Sequence, residues 1–144
     1  MSTPQIRPIV LCIFRQANRI LVFEGYDPTR QLNFYRPLGG GIEFGEPSRA
    51  TVVREMREEL QAEICNVRYF GCLENIFIYQ GQPGHQIVQL YAADFVDPAF
   101  YAQAHPVAFE ADGAPINTLW KDLATFSPKT PLYPDGLLEL LTTV

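Results

Sequence analysis

Gly40-Gly41-Ile42-Glu43-Phe44-Gly45-Glu46-Pro47-Ser48-Arg49-Ala50-Thr51-Val52-Val53-Arg54-Glu55-Met56-Arg57-Glu58-Glu59 joins a glycine-rich stretch to a helix that ends in three carboxylates. The helix is expected from about Pro47, because proline suits the first helical position, where the missing N–H has no partner to lose. Each helical residue turns the chain by about 100°. With Glu55 at the origin, Glu58 falls near about −60° and Glu59 near about +40°, so the three acids share one face. Val53, Met56 and Leu60 fall between about 100° and 160°, where they can pack the helix down and turn the acids toward a cleft.

Like charges so placed repel by roughly 0.2–0.5 kcal/mol per i,i+3 or i,i+4 pair on an exposed helix, and by more where water is excluded. Bound cations would reverse that cost. The plain alternative is a solvated acidic face partly neutralised by Arg54 and Arg57. Gly39, Gly40, Gly41 and Gly45 weigh against it. Such a run reads as a turn that allows positive φ and close approach of backbone to a ligand. A backbone carbonyl there can join carboxylates around a hard cation. Mg²⁺ in particular is held by a few carboxylates, waters and substrate phosphates.

Gly40, five residues, Glu46, seven residues, and then Arg54-Glu55-Met56-Arg57-Glu58-Glu59 resembles the box of the Nudix (MutT-like) hydrolases. The resemblance implies an α/β fold, an α/β/α sandwich with a mixed central sheet, formed as a single hydrolase domain over residues 1–144. It implies a metal set of Glu55, Glu58 and Glu59 with the carbonyl of Gly39 or a neighbour, filled by Mg²⁺ or in its place Mn²⁺. It implies an ion pair between Arg54 and Glu46 that braces the loop against the helix, a role suited to arginine's two-pronged fork. The activity implied is hydrolysis of a diphosphate linked to another group X: water attacks one phosphorus and two phosphate-bearing products leave.

Such chemistry rests on charge neutralisation and a positioned water, with a carboxylate to take the proton. Glu58 could serve from within the motif, and Glu110 from a later loop. The catalytic set expected is therefore Glu58, Arg54, Glu46 and Glu110. His85-Gln86 stands where similar sequences often carry His-Glu, and Gln86 can orient a water without taking its proton. Glycine is usual at the position of Gln61, where it would end the helix in a left-handed turn. With glutamine, the helix could instead run on for another turn. Group X would meet Arg36, Tyr35 and Arg30, with Phe34, Phe77 and Tyr79 as further candidates. Arginines suit distal phosphates and aromatics suit a base.

The rest of the chain fits an acidic globular protein. Of 144 residues 47% are apolar, and the net charge is −5. That balance excludes stable nucleic-acid binding through the phosphate backbone, which needs a basic face, and leaves a small phosphate substrate bridged by metal. A homodimer stays open. Cys12, Cys65 and Cys72 are odd in number and lack metal spacing. They make no disulfide framework, and Cys12 and Cys72 are expected in the core. The N-terminus has no signal pattern, and the apolar run 8–14 is too short to cross a bilayer. A cytoplasmic protein without membrane contact is expected.

Along the chain, residues 6–14 and 19–24 read as a β-hairpin. A loop follows at 27–30, then an extended segment 33–38 leading into the glycine turn, the helix 47–61, and a β-rich stretch 66–79 interrupted by Gly71. Gly81 to Gly84 reads as a turn. Residues 87–95 are apolar on both faces, with Val88, Leu90 and Ala92 against Ile87, Tyr91 and Phe95, as in a central strand covered on both sides. Residues 98–114 show no pattern, 116–123 form a short apolar segment around Trp120, and 135–141 a closing helix. Two functional readings follow, a metal-dependent diphosphate hydrolase and a catalytically silent nucleotide-binding module on the same fold. Retention of every acid in the motif favours the enzyme, and the ligand spacing of a calcium-binding EF-hand is absent.

Overall fold

The computed structural model describes residues 3–143; Met1, Ser2 and Val144, the ends of the expected 1–144 span, lie outside it. In chain order the elements are β1 (Ile6–Ile13), β2 (Arg15–Gln16), β3 (Arg19–Asp27), β4 (Leu32–Arg36), β5 (Leu38–Gly41), α1 (Ser48–Leu60), β6 (Ile64–Tyr79) and β7 (Gln82–Phe95). They continue with α2 (Ala99–Ala102), β8 (Ala108–Phe109), β9 (Pro115–Ile116), β10 (Thr118–Asp122) and α3 (Leu137–Thr142). One sheet has the order β5-β1-β7-β6. It is mixed: β1 and β7 run parallel, while β1–β5 and β6–β7 are antiparallel. In a second sheet β3 pairs β10 along one edge, and β2 and β4 along the other.

The alternation of β1 divides the interior in two. Ile9, Leu11 and Ile13 join Leu137 and Leu141 of α3, whereas Val10, Cys12 and Phe14 join Val52, Met56 and Leu60 of α1. β7 does the same, with Val88 and Leu90 on the first side and Tyr91, Ala93 and Phe95 on the second. Helices therefore cover both faces, which is why both strands read as continuous apolar runs. Met56 is fully buried, and its truncation to alanine should cost about 2–5 kcal/mol.

Several expectations are corrected. β1 and β3 do not form a hairpin. Both edges of β1 are taken, by β5 and β7, so the chain makes only the short pairing of Arg15–Gln16 with Arg19–Ile20 before entering the other sheet. Gly39, Gly40 and Gly41 are not a turn but strand β5, paired with β1. Among the motif's glycines the left-handed region is used by Gly45 (φ +81°). β7 begins at Gln82, so the hairpin turn is Gln80-Gly81 rather than 81–84. In α1 it is Val52 that is fully buried, while Val53 packs at the margin. Cys72 is exposed, on β6 at the edge of its sheet.

The helix does not run on past Leu60. Gln61 takes the left-handed conformation itself (φ 53°, ψ 38°). Its N–H donates to Arg57 O, and Ala62 N–H donates to Met56 O at 3.2 Å. This is the capping pattern that glycine normally serves. Burial of Leu60 and Ala62 on either side of Gln61 holds it there against a cost of roughly 1–2 kcal/mol.

Candidate active site

The C-terminal half of α1, strand β5 and the loop between β8 and β9 enclose a cavity of about 300 Å³, lined by Glu55, Glu58, Glu59 and Gly39–Gly41 with Arg7, Arg36 and Glu110. A second cavity of about 350 Å³ adjoins it and shares Phe23, Arg36, Gln86 and Glu110. Under both runs one row of the sheet, Arg7 of β1 beside Gln86 of β7 beside Asn75 of β6. Asn75 Nδ2 donates to Gln86 Oε1 at 3.2 Å.

The helical wheel explains why the three acids differ. The buried residues of α1 are Thr51, Val52, Met56 and Leu60. On the wheel centred on Glu55 they span about −40° to +140°, and Glu55 and Glu59 fall inside that arc while Glu58 falls outside. Accordingly the Glu55 side chain is 13% exposed and that of Glu58 57%. Burial, followed by the charge and a hydrogen bond of Glu55, pushes the Glu59 carboxyl up to about 8, against the opposing pull of Arg36 and the Gly39 backbone. Glu59 Oε1 is buried with no hydrogen-bond partner.

Arg54 ties the motif together. Its Nε and Nη2 donate to the two Glu46 oxygens at 2.8 and 2.9 Å, and Nη2 also donates to Gly41 O at 3.1 Å. Nη1 donates to Glu55 Oε1 at 3.1 Å and Glu58 Oε2 at 3.2 Å. Hydrogen bonds from Arg54, then from Thr51, hold the Glu46 carboxyl down at about 2. Glu46 in turn raises the Arg54 guanidinium above its ordinary value.

Among the described residues no three carboxylate, histidine or cysteine side chains are already gathered tightly enough to hold an ion. The expected trio is therefore not a ready cage, because Arg54 draws Glu55 and Glu58 toward itself. Two observations nonetheless fit a hard cation. The orphaned Glu59 oxygen lies beside Glu55, an arrangement that a proton or a cation must neutralise. A Cβ on Gly40 would fall on the Glu55 carboxylate, so the strand leaves the room which that group occupies. Two carboxylates plus backbone oxygen suit a cation that completes its shell with water and phosphate.

Opposite in sign are Arg7 and Arg36. Burial, and after it the neighbouring Arg7, pulls the Arg36 guanidinium below its ordinary value, with Glu59 opposing. Arg36 Nε is buried without a partner, and the guanidinium lies 5.0 Å from the Phe23 ring centroid.

Comparison with known proteins decides what this arrangement is. The family model of the NUDIX domain matches residues 4–126. The chain belongs to the Nudix family. The NAD-capped RNA hydrolase NudC of Vibrio atlanticus is 28% identical over 127 residues, covering 83% of this chain and 45% of that protein. This chain thus spans less than half the length of that relative. The MutT NUDIX hydrolase from Burkholderia pseudomallei shares the fold with a TM-score of 0.67 at 20% identity, over 97% of this chain and 99% of the other. An ADP-ribose pyrophosphatase from Streptococcus suis shares it at 0.60 and 14% identity, over 95% and 90%. As a Nudix protein the chain has a mixed-sheet α/β fold, in a family whose hydrolases generally use divalent cations.

The residues expected from sequence fall in three places. Glu55, Glu58, Glu59, Gly39, Arg36 and Glu110 of the Nudix chain line the first cavity, with Glu46 and Arg54 bracing it from behind. Arg30 lines only the second cavity, where its Nη1 donates to Tyr133 Oη at 3.1 Å. Tyr35 reaches neither. It is buried in the core and donates to Glu24 Oε2 at 2.7 Å, and burial raises its phenol to about 12. Its neighbours Phe34 and Arg36, one residue away on either side, face the cavities instead, as alternation in β4 requires. Arg7, Phe23, Asn75 and Tyr133 escaped the sequence reading. No local signal marks them, because they meet only through strand register and the packing of distant segments.

Proposed function

We propose that this Nudix chain hydrolyses the diphosphate bond of a nucleoside diphosphate joined to another group, such as a nucleoside triphosphate, a nucleotide sugar or a dinucleotide. We propose Mg²⁺ as its cation, with Mn²⁺ as a substitute, and residues 1–144 as one hydrolase domain. The observation that carries this is the desolvated, unpartnered Glu59 oxygen beside Glu55, in a cavity that Arg7 and Arg36 also line. Carboxylates for a cation and arginines for phosphate share one chamber. The names of the relatives point the same way, since NAD-capped RNA and ADP-ribose both contain a nucleotide diphosphate.

Glu55 and Glu59, with Glu58 and the backbone of Gly39, would hold the cation, which when bound supplies charge neutralisation to the diphosphate and makes water more acidic. Arg36 and Arg7 would meet the phosphate charge left over. Glu58, the most exposed of the three acids, can release Arg54 at little cost and take the proton of the attacking water; Glu110, which lines both cavities, is the second acid within the chamber. Gln86 can orient that water through its amide. Arg54, gripped by Glu46, would keep Glu55 in place throughout. No described helix is long and apolar enough to cross a membrane, and free Cys12, Cys65 and Cys72 fit a reducing cytoplasm.

The test is a panel of nucleoside diphosphate compounds with Mg²⁺, run on the unaltered protein, on Glu59→Gln and on Glu58→Gln. Hydrolysis of at least one compound, lost by orders of magnitude in Glu59→Gln with the fold intact, is the expected result. Full activity in that variant would remove the site assignment. Tight binding of one compound with cleavage of none would establish the silent binding module instead.

A further inference from the structure

Strand β6 is the outer strand of its sheet. It is 16 residues long and pairs on one side with β7. Among the described residues no strand pairs with its other side. Such an edge presents a row of unpaired N–H and C=O groups, which proteins ordinarily blunt with charges, a proline or a bulge.

The two halves of β6 differ in this respect. From Ile64 to Gly71 the register shifts twice, Asn66 takes a positive φ of 53°, and Arg68 stands in the strand. From Cys72 to Tyr79 the pairing with β7 is continuous. That half has no proline, lysine or arginine, and Glu74 is its one charge. Ile76 and Ile78 are 72% and 62% exposed. Ile6 and Ile76 flank His85 in register, and Ile6 is also exposed, so the apolar surface continues inward from the edge. The straight half of the edge is thus open and apolar, while the other half is guarded.

We propose that residues 75–79 of β6 pair antiparallel with the same residues of a second copy of this chain, about a two-fold axis at Phe77, so that two four-stranded sheets become one. A free edge is complementary to its own copy under such an axis, because each strand offers the donors and acceptors that the other lacks. Side chains select the register, since residues directly opposite share a face. With the axis at Phe77, Ile76 meets Ile78 of the partner subunit, Asn75 meets the partner's Tyr79, and Glu74 meets the partner's Gln80. An axis at Ile76 would set Glu74 against an isoleucine, and one at Ile78 would set Ile76 against a glutamine.

Charge permits this partner here. Two copies of a chain of net charge −5 repel, but the pairing half of the strand carries only Glu74. The axis keeps the two Glu74 residues about 20 Å apart, six residues along the strands, beyond the screening length of about 8 Å in physiological salt. The same five residues line the second cavity, so pairing fixes one wall of that cavity in both copies. An interface built on so short a strand lies at the low end of specific contacts, and the dimer should dissociate on dilution. None of this depends on the diphosphate-hydrolase reading.

Sedimentation equilibrium of the unaltered protein, from about 1 μM to about 1 mM, tests the proposal. Reductant is included so that exposed Cys65 and Cys72 cannot cross-link copies. The expected result is a reversible shift from the mass of one chain to that of two. Ile76→Glu and Ile78→Lys should each weaken association by roughly tenfold or more, by setting a charge against an isoleucine. Both sites are exposed in the single chain, and thermal melts check that the variants fold. Mixing the two variants should restore the dimer. One contact then joins the introduced carboxylate to the introduced ammonium, and the other keeps the native isoleucine pair. A protein that stays monomeric throughout would overturn the proposal and leave the edge to a strand of some other chain. Dimers unaffected by both substitutions would place the interface elsewhere, and a mixture no tighter than either variant would overturn the register.

Discussion

Replacing Glu59 with glutamine should stabilise this protein in the absence of metal while disabling it. Glu59 titrates near 8 in the folded chain against an ordinary 4.5, chiefly through burial and then through Glu55. Between those values the folded state holds a proton that the unfolded state has lost, so stability falls as pH rises through this window and is fully present below it. Each unit of separation corresponds to about 1.4 kcal/mol. At pH 7 the part of that separation already crossed would cost roughly 3 kcal/mol, and allowing for partial exposure about 1–3 kcal/mol is expected. Glutamine has the shape of the protonated acid and cannot ionise, so Glu59→Gln should escape this loss.

The assay is thermal unfolding of both proteins in chelator from pH 5 to pH 8.5. At pH 5 the melting temperatures should agree within about a degree. By pH 8 the variant should melt higher by roughly 3–9 °C, at about 3 °C per kcal/mol for a domain of this size. Saturating Mg²⁺ or Mn²⁺ at pH 8 should raise the melting temperature of the unaltered protein and not that of the variant. A difference between the two proteins that stays constant from pH 5 to pH 8.5 would refute the burial argument.

Four further outcomes test other parts of the structure. Arg54→Lys keeps the charge but loses the fork that grips Glu46, Glu55 and Glu58; kcat/KM should fall by roughly 10²-fold, as expected when a site shifts by about an ångström, and wild-type kinetics would show that the brace is dispensable. Gly40→Ala should displace the Glu55 carboxylate and weaken Mg²⁺ binding in a metal titration, whereas unaltered affinity would place the cation elsewhere. Tyr35→Phe should cost about 1 kcal/mol of stability in urea unfolding, for the lost bond to Glu24, and leave KM alone; a raised KM would return Tyr35 to the substrate site. Gln61→Gly should raise stability by roughly 0.5–1 kcal/mol, relief of the left-handed strain being partly offset by unfolded-chain entropy, and a loss would show that the Gln61 side chain contributes more than its backbone costs.

What could be read in advance was whatever depends on short spacing. The positions of Glu55, Glu58 and Glu59 on one helix face follow from 100° per residue, and the two-faced character of residues 87–95 follows from their composition. What could not be read depends on phase and register. Alternation in β4 shows that Tyr35 opposes Phe34 and Arg36, yet does not say which side is the core. Cys72 lies on β6, the edge strand of its sheet, and an apolar run does not say that its strand will stand at an edge. The row Arg7–Gln86–Asn75 joins β1 to the β6–β7 hairpin, which lies far along the chain. The three-glycine run looked like a turn because glycine usually marks one. Here it serves close strand approach, since a Cβ on Gly39 would strike the Val10 carbonyl.

The same arc of the α1 surface accounts for both the fold and the chemistry of the acids. Val52, Met56 and Leu60 must face the sheet for the helix to pack. Glu55 and Glu59 lie within the angle those residues span together with buried Thr51, so packing itself withdraws the two carboxylates from water. Glu58, about 100° round from Glu59, stays in solvent. A difference of one residue in position thus separates an acid suited to sharing a cation from an acid suited to taking a proton. Arg54 can reach both Glu55 and Glu58 because it sits one and four residues before them, and Glu46 fixes its fork from the loop side. Shifting the apolar stripe by one position, for example by Val52→Lys with Val53→Leu, would rotate that arc and expose Glu59. The spacing of the motif and the apolar pattern of the helix are therefore one constraint, set by which carboxylates the core leaves wet.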